Sequence, residues 1–143
     1  MWKDTIHSIS SNLSLKNPAT KDELTDIQQC IHVELPNDLY QLLQETNGIE
    51  GEYGDFIWSA SKIKTENMNM RNIVDFKDLY MPFDCLLFFA DGGNGDLFGY
   101  SILNGKVQRD DIYVWNHEND SRTWVAPSLK TFMEWWESGK III

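Results

Sequence analysis

Residues 85–102 have the sequence CLLFFADGGNGDLFGYSI, in which two apolar stretches flank a glycine-rich hexapeptide. Apolar runs of about four to eight residues, bounded by turn residues, are typical of strands that are buried on both faces. The hexapeptide, residues 91–96, contains three glycines, and glycine readily adopts the positive φ angles of a tight connection. We therefore predict that residues 85–90 and 97–102 form neighbouring antiparallel strands joined by this turn.

The chain after this pair predicts the rest of an antiparallel meander and a final helix. Residues 112–115 form a third apolar run, and Asn104-Gly105 is a strong signal for a type I′ hairpin turn. Further on, Ser128 can cap a helix that Gly139 ends. The apolar face of this helix consists of Leu129, Phe132, Met133 and Trp136. Because a helix with one apolar face must cover another surface, we expect it to flank the sheet.

Three segments before residue 50 have the apolar spacing of short helices. Their apolar faces consist of Trp2, Ile6, Ile9 and Leu13, of Leu24, Ile27 and Ile31, and of Leu39, Leu42 and Leu43. Thr20 and Glu23 fit a capping box at the start of the second helix. Pro36, followed by an Asx cap, should open the third helix, and Asn47-Gly48 should end it.

Between these helices and the meander the pattern is weaker. Residues 56–58 predict a strand, and the polar residues 61–82 predict one or two short helices. The expected apolar anchors of that segment are Ile63, Met70, Ile73, Val74 and Phe76. The whole pattern predicts an α+β fold with a central antiparallel meander flanked by N-terminal helices and a C-terminal helix, in a single domain of residues 1–143.

The composition indicates a chain that folds by itself. Hydrophobic residues make up 42% of the chain and aromatic residues 13%, unlike the composition of disordered proteins. No stretch reaches the roughly 20 apolar residues of a membrane span, and residues 1–16 lack the pattern of a secretory signal. We therefore expect a soluble cytoplasmic protein that binds no membrane. Cys30 and Cys85 have apolar neighbours and are expected to be small core residues without a disulfide.

Negative charge is concentrated in one part of the chain. The net charge is −10, and residues 22–61 contain nine acidic residues and no Lys or Arg. Such a chain repels phosphate backbones and anionic membranes, so we expect no nucleic-acid ligand. Two interpretations stay open: the acidic residues face a basic protein partner, or they only provide solubility.

The candidate sites for catalysis or cofactor binding are all weak. Residues 92–95 are glycine-rich but lack the Lys-Ser/Thr of a phosphate-binding loop. His117-Glu118, with Asp110 and Asp111 upstream, offers too few convergent ligands for a metal site. No GxSxG motif occurs, and neither cysteine lies in a polar segment that could activate a nucleophile. We therefore expect no enzymatic activity, no cofactor and no metal site.

Several of these segments together resemble the SUKH superfamily of immunity proteins and cell-wall-synthesis regulators. The resemblance rests on Leu35-Pro36 with Asp38, Leu39, Tyr40 and Asn47-Gly48, on residues 87–96, on Val114 to Glu118, and on Ser128-Leu129 with Phe132. These pieces lie in the family's order and span roughly residues 20–138. The resemblance implies an α+β fold and a non-catalytic function, in which bacterial members neutralise cognate toxins, many of them nucleases.

The resemblance and the charge together predict a protein-binding function. We expect an immunity protein, monomeric or weakly dimeric, that binds a basic toxin domain through an acidic surface. The predicted partner-binding residues are Asp22, Asp26, Glu50, Glu52, Tyr53, Asp55, Asp91, Asp96, Trp115, His117 and Glu118. The alternative functions are a regulatory scaffold of cell-wall synthesis or signalling, and a small ligand-binding or hydrolase domain.

Overall fold

The computed structural model describes residues 1–143 and contains five α-helices and seven strands. The helices are α1 (Trp2–Ile9), α2 (Lys21–Ile31), α3 (Asn37–Glu45), α4 (Ala60–Asn72) and α5 (Leu129–Glu137), with a short 3₁₀ helix at Val74–Phe76. The strands are β1 (Ser14–Leu15), β2 (Ile49–Gly51), β3 (Gly54–Ile57), β4 (Leu86–Asp91), β5 (Leu97–Ser101), β6 (Ile112–Trp115) and β7 (Arg122–Ala126). None of the helices combines the length and the apolar character that a membrane crossing requires.

The strands form two antiparallel sheets, which confirms the predicted α+β class. The larger sheet has the strand order β4-β5-β6-β7, so it is the meander that the apolar runs predicted. Within it, Leu87 pairs with Tyr100 and Phe98 pairs with Val114, and irregularities interrupt the register in β4 and between β6 and β7. The smaller sheet has the order β1-β2-β3.

The sequence pattern missed β7 and most of the smaller sheet. In β7 only Ala126 is buried, so the strand lacks the apolar run that marks β4. β1 and β2 have two and three residues, which is too short for an alternating pattern to be visible. The predicted turn at Asn104-Gly105 has φ angles of 53° and 74° and lies within the connection between β5 and β6.

The core is one continuous cluster of 35 buried apolar residues. Phe132 of α5 packs against Phe89 and Phe98 of the larger sheet, with ring centroids 5.4 Å and 4.7 Å apart. Ile6 of α1 and Ile141 after α5 belong to the same cluster. The helices before and after the meander therefore share a single core with it.

Side-chain caps fix two helix starts where they were predicted. Thr20 Oγ1 accepts from the N–H of Glu23 at 3.1 Å, and the Glu23 carboxylate accepts from the N–H of Thr20 at 3.0 Å, which completes the capping box. Ser128 caps α5 by accepting from the N–H of Thr131 at 3.2 Å. The Asx cap predicted for α3 is wrong, because Pro36 itself occupies the N-cap position.

Four apolar or sulfur-containing side chains predicted to be in the core lie outside it. Cys30 is partly exposed on α2, with its sulfur 3.6 Å from Asp26 Oδ1. Cys85 is exposed because it precedes the first residue of β4. Ile73 and Val74 are 36% and 72% exposed and lie directly after Asn72, the last residue of α4.

A buried polar contact fixes α4 against the edge of β4. Asn67 is 1% exposed, and its carboxamide donates to the carbonyl of Phe88 at 2.8 Å and accepts from the N–H of the same residue at 2.8 Å. The side chain thus takes the place of a neighbouring strand at that position. Further along, Arg71 Nη2 donates to the carbonyl of Leu86 at 3.2 Å, so α4 runs antiparallel to β4.

We predict that Asn67→Leu destabilises the fold by about 2–5 kcal/mol, because both backbone groups of Phe88 lose their partner in the core and each unsatisfied group costs about 1–3 kcal/mol. Urea unfolding with an unchanged m-value measures the loss. Asn69→Leu, at an exposed position of the same helix, is the control and should change stability by less than about 0.5 kcal/mol. Equal losses for the two variants would contradict this role of Asn67.

Candidate functional site

A cleft of about 710 Å³ opens where the β2–β3 hairpin, the turn after β4 and the end of α5 come together. It is lined by four carboxylates, one ammonium group and two exposed or half-buried aromatic side chains: Glu52, Asp55, Asp91, Glu137, Lys62, Tyr53 and Trp136. We call this set of residues the acidic cleft. No sequence motif joins them, because they come from four separate elements of the fold.

The tip of the β2–β3 hairpin presents Glu52 and Tyr53 to solvent. Gly51 of β2 pairs with Gly54 of β3, which leaves these two residues as the turn. Gly54 has a φ of 134°, a conformation that residues with a side chain rarely adopt. Tyr53 is 96% exposed. Since tyrosine is a common anchor of protein interfaces, its presentation here favours contact with a partner.

The floor of the acidic cleft is a hydrogen-bonded network centred on Asp91. Its carboxylate accepts from Trp58 Nε1 at 2.7 Å and from the N–H of Gly93 at 3.0 Å. Lys62 Nζ lies 3.0 Å from Asp55 Oδ2 and 3.8 Å from Asp91 Oδ2. The network therefore holds β3, α4 and the end of β4 together beneath the hairpin tip.

Lys62 is the cation that this network encloses. Partial burial acts to lower the pKa of Lys62, but the hydrogen bond to Asp55 and the nearby charges of Asp91 and Glu66 outweigh it, so the pKa is raised. The lysine is therefore protonated at neutral pH and offsets part of the surrounding negative charge. With four carboxylates around one ammonium group, the acidic cleft stays negative.

Two carboxylates of the acidic cleft have no ion-pair partner. Glu52 and Glu137 are exposed and form no salt bridge. Glu50, two residues before Glu52, does have an ion-pair partner, because Lys16 Nζ lies 3.5 Å from its carboxylate. Free carboxylates can accept charge-assisted hydrogen bonds from a Lys or Arg side chain of a partner. No group of three or more His, Cys, Asp and Glu side chains has the arrangement of a metal site.

The structure brings four of the predicted partner-binding residues together in the acidic cleft: Glu52, Tyr53, Asp55 and Asp91. Five others do not line it: Asp22, Asp26, Glu50, His117 and Glu118. Among these, Asp26 is held by Lys64, whose Nζ lies 2.7 Å from its carboxylate. The acidic residues that were predicted to bind a partner are thus spread over the surface, and only those of the β2–β3 hairpin and the end of β4 lie together in the cleft.

Three residues of the acidic cleft were not predicted: Lys62, Trp136 and Glu137. Lys62 and Glu137 look like ordinary exposed charges of amphipathic helices, and Trp136 belongs to the apolar stripe of α5. Only the packing of α4 and α5 against the meander brings them beside the hairpin. No local signal in the sequence carries that information.

The prediction that Asp96 and Trp115 face a partner is wrong, because both are buried, with 3% and 4% of their surface exposed. Asp96 Oδ1 accepts from the N–H of His117 at 3.1 Å and lies 2.6 Å from its ring Nδ1. Trp115 Nε1 donates to Asp120 Oδ1 at 2.7 Å. Burial acts to raise the pKa of Asp96, but the hydrogen bonds from His117 outweigh it, and the pKa is lowered. Both residues therefore stabilise the ends of β5 and β6.

Comparison with known proteins adds one finding. The SUKH_6 family model, described as SMI1-KNR4 cell-wall, matches residues 21–133. The match covers well over half of the chain and runs from the start of α2 into α5. It includes five residues of the acidic cleft, all except the two on the last turns of α5. The comparison with curated proteins finds no match.

We predict that Asp96→Asn lowers the free energy of unfolding by about 1.5–3 kcal/mol at neutral pH, since a buried hydrogen bond to a charged group is lost. Because the pKa of Asp96 is lowered in the fold, its contribution is complete above the unfolded pKa of about 3.9 and is lost as the pH falls through the folded value. The difference between wild type and D96N in urea unfolding should therefore shrink below about pH 4.

Glu118→Gln is the control, because Glu118 is exposed and should show neither the loss nor its pH dependence. A difference between wild type and D96N that stays constant down to about pH 2 would contradict the structural role of the Asp96 carboxylate.

Proposed function

The chain belongs to the SMI1-KNR4 family of the SUKH superfamily, and from this premise we propose that it is a non-catalytic immunity protein that binds a basic toxin domain. The superfamily includes immunity proteins and cell-wall regulators. The proposal rests on one observation: Glu52 and Glu137, two carboxylates without an ion-pair partner, line the same cleft as the exposed ring of Tyr53. We take the acidic cleft as the binding site.

Charge is the first support for this proposal. The chain has a net charge of −10, and in the acidic cleft only Lys62 offsets four carboxylates. A nuclease domain needs a positive surface because most of its affinity for nucleic acid comes from phosphate contacts. Complementary fields raise association rates by about 10–10³-fold. A protein that covers the positive surface keeps nucleic acid away from the toxin without any chemistry of its own.

Aromatic contact is the second support. Tyr53 is 96% exposed at the hairpin tip, and Trp136 of α5, which also lines the acidic cleft, is half-buried. Tyrosine and tryptophan contribute more binding energy at interfaces than most other residues. Their combination with unpaired carboxylates fits a partner that offers Lys or Arg side chains, because a guanidinium or ammonium group also binds the face of an aromatic ring.

A regulatory scaffold is the second candidate function, because the matching family model is described as SMI1-KNR4 cell-wall. Such a scaffold would use the acidic cleft to hold a basic segment of a cell-wall or signalling enzyme. The two functions differ in their effect on the partner. An immunity protein abolishes the activity of the toxin that it binds, whereas a scaffold leaves its partner active.

We predict that the double variant Glu52→Lys/Glu137→Lys associates at least about tenfold more slowly at low salt with a basic toxin domain that the wild-type protein binds. Surface plasmon resonance at low and high salt measures the rates. In a nuclease assay the wild-type protein should abolish the activity of the toxin, and the variant should inhibit it less.

The matched control is Asp22→Lys/Glu118→Lys, which makes the same change in net charge at exposed positions outside the acidic cleft. It should slow association less than the cleft variant does. Equal slowing by both variants would show that only net charge matters, and binding without loss of toxin activity would favour the scaffold.

A further inference from the structure

A second cavity, of about 780 Å³, lies where the end of α2, the end of α4 and the residues before β4 come together. Its lining combines four apolar side chains with two charged ones: Ile31, Val33, Met68, Ile102, Arg71 and Asp84. We call these six residues the arginine pocket. Cavities of about 300–1,000 Å³ with an apolar lining and a few polar groups are typical of small-molecule sites.

The guanidinium group of Arg71 has hydrogen-bond donors that the protein does not use. Its Nη1 donates to the carbonyl of Ile31 at 2.9 Å, and its Nη2 donates to the carbonyl of Leu86 at 3.2 Å. These bonds use two of the five N–H donors of an arginine, and the buried Nε has no partner. Among the Lys and Arg side chains that form no ion pair, Arg71 alone is not exposed.

The electrostatics of this guanidinium group favour a ligand that carries a carboxylate. Burial lowers the pKa of Arg71 below its ordinary value, and the charge of Asp84 acts in the opposite direction without offsetting burial. Arginine nevertheless stays charged at neutral pH. A carboxylate that enters the cavity therefore meets a cation with no acidic partner, to which it can form charge-assisted hydrogen bonds.

Asp84 adds the opposite charge to the same lining. It is exposed and forms no ion pair, with Arg71 or with any other side chain. A simple anion such as phosphate would be repelled by this carboxylate and by the net charge of −10. A zwitterion would not, because its ammonium group pairs with Asp84 while its carboxylate binds Arg71. The aliphatic part of the lining then suits an apolar side chain on the ligand.

We propose that the arginine pocket binds a free α-amino acid with an apolar side chain, held by its carboxylate on Arg71 and by its ammonium group on Asp84. The inference adds a small-molecule ligand to a chain whose proposed function is to bind another protein. It does not depend on the acidic cleft, since the two sites have no residue in common.

Four ligands test the proposal on wild-type protein: L-leucine, N-acetyl-L-leucine without the ammonium group, L-leucinamide without the carboxylate, and glycine without the apolar side chain. An NMR titration that follows the methyl signals of Met68 and Ile102 measures each affinity. L-Leucine should bind, and each analogue should bind at least about tenfold more weakly, because it lacks one charged or apolar contact. Leucinamide tests the contact with Arg71 without a variant that would lose the bonds to Ile31 and Leu86.

Asp84→Asn should weaken the binding of L-leucine at least about tenfold and leave the affinity for N-acetyl-L-leucine unchanged, because that analogue has no ammonium group. Asp78→Asn is the matched control, since Asp78 is exposed, forms no ion pair and does not line the cavity. Both variants should unfold at the wild-type urea concentration. The proposal is overturned if L-leucine, L-methionine and L-phenylalanine all fail to bind. It is also overturned if L-leucine binds no better than the analogues that lack one charge, or binds the Asp84 variant as tightly as wild type.

The same titration separates this inference from the acidic cleft. Glu52→Lys should leave the affinity for L-leucine unchanged. If L-leucine binds the arginine pocket while basic toxin domains fail to bind the protein, the proposed function is wrong and the amino-acid site stands. If a toxin domain binds the acidic cleft while no amino acid shifts the signals of the arginine pocket, the amino-acid site is wrong.

Discussion

The carboxamide of Asn67 determines how α4 lies along β4, and the acidic cleft depends on that arrangement. The backbone N–H and C=O groups at the edge of a buried strand must form hydrogen bonds. Leaving one such group without a partner costs more free energy than one hydrogen bond normally contributes. Asn67 pairs both groups of Phe88, and Arg71 pairs the carbonyl of Leu86. With those contacts made, Lys62 at the other end of α4 lies beside Asp91.

The sequence predicted those parts of the fold whose pattern is local. The apolar run of β4 and the reciprocal cap of Thr20 and Glu23 are visible over a few residues, and both were confirmed. Asn67 was not recognised, because a polar residue on an amphipathic helix normally faces water. Asp96 was misread because its partner His117 lies 21 residues further along the chain. Three of the seven residues of the acidic cleft come together only through the packing of distant segments.

Because salt screens charges, charged and apolar contacts contribute differently to binding. At physiological ionic strength the Debye length is about 8 Å, so the carboxylates of Glu52 and Glu137 act on a partner only once it is close. Exposed ion pairs contribute only about 0–1 kcal/mol each to the stability of a complex. Complementary charge raises the rate of association more than it slows dissociation. Slow dissociation requires side chains that leave water on binding. In the acidic cleft Tyr53 and Trp136 offer such contacts, and the acidic residues guide the partner towards them.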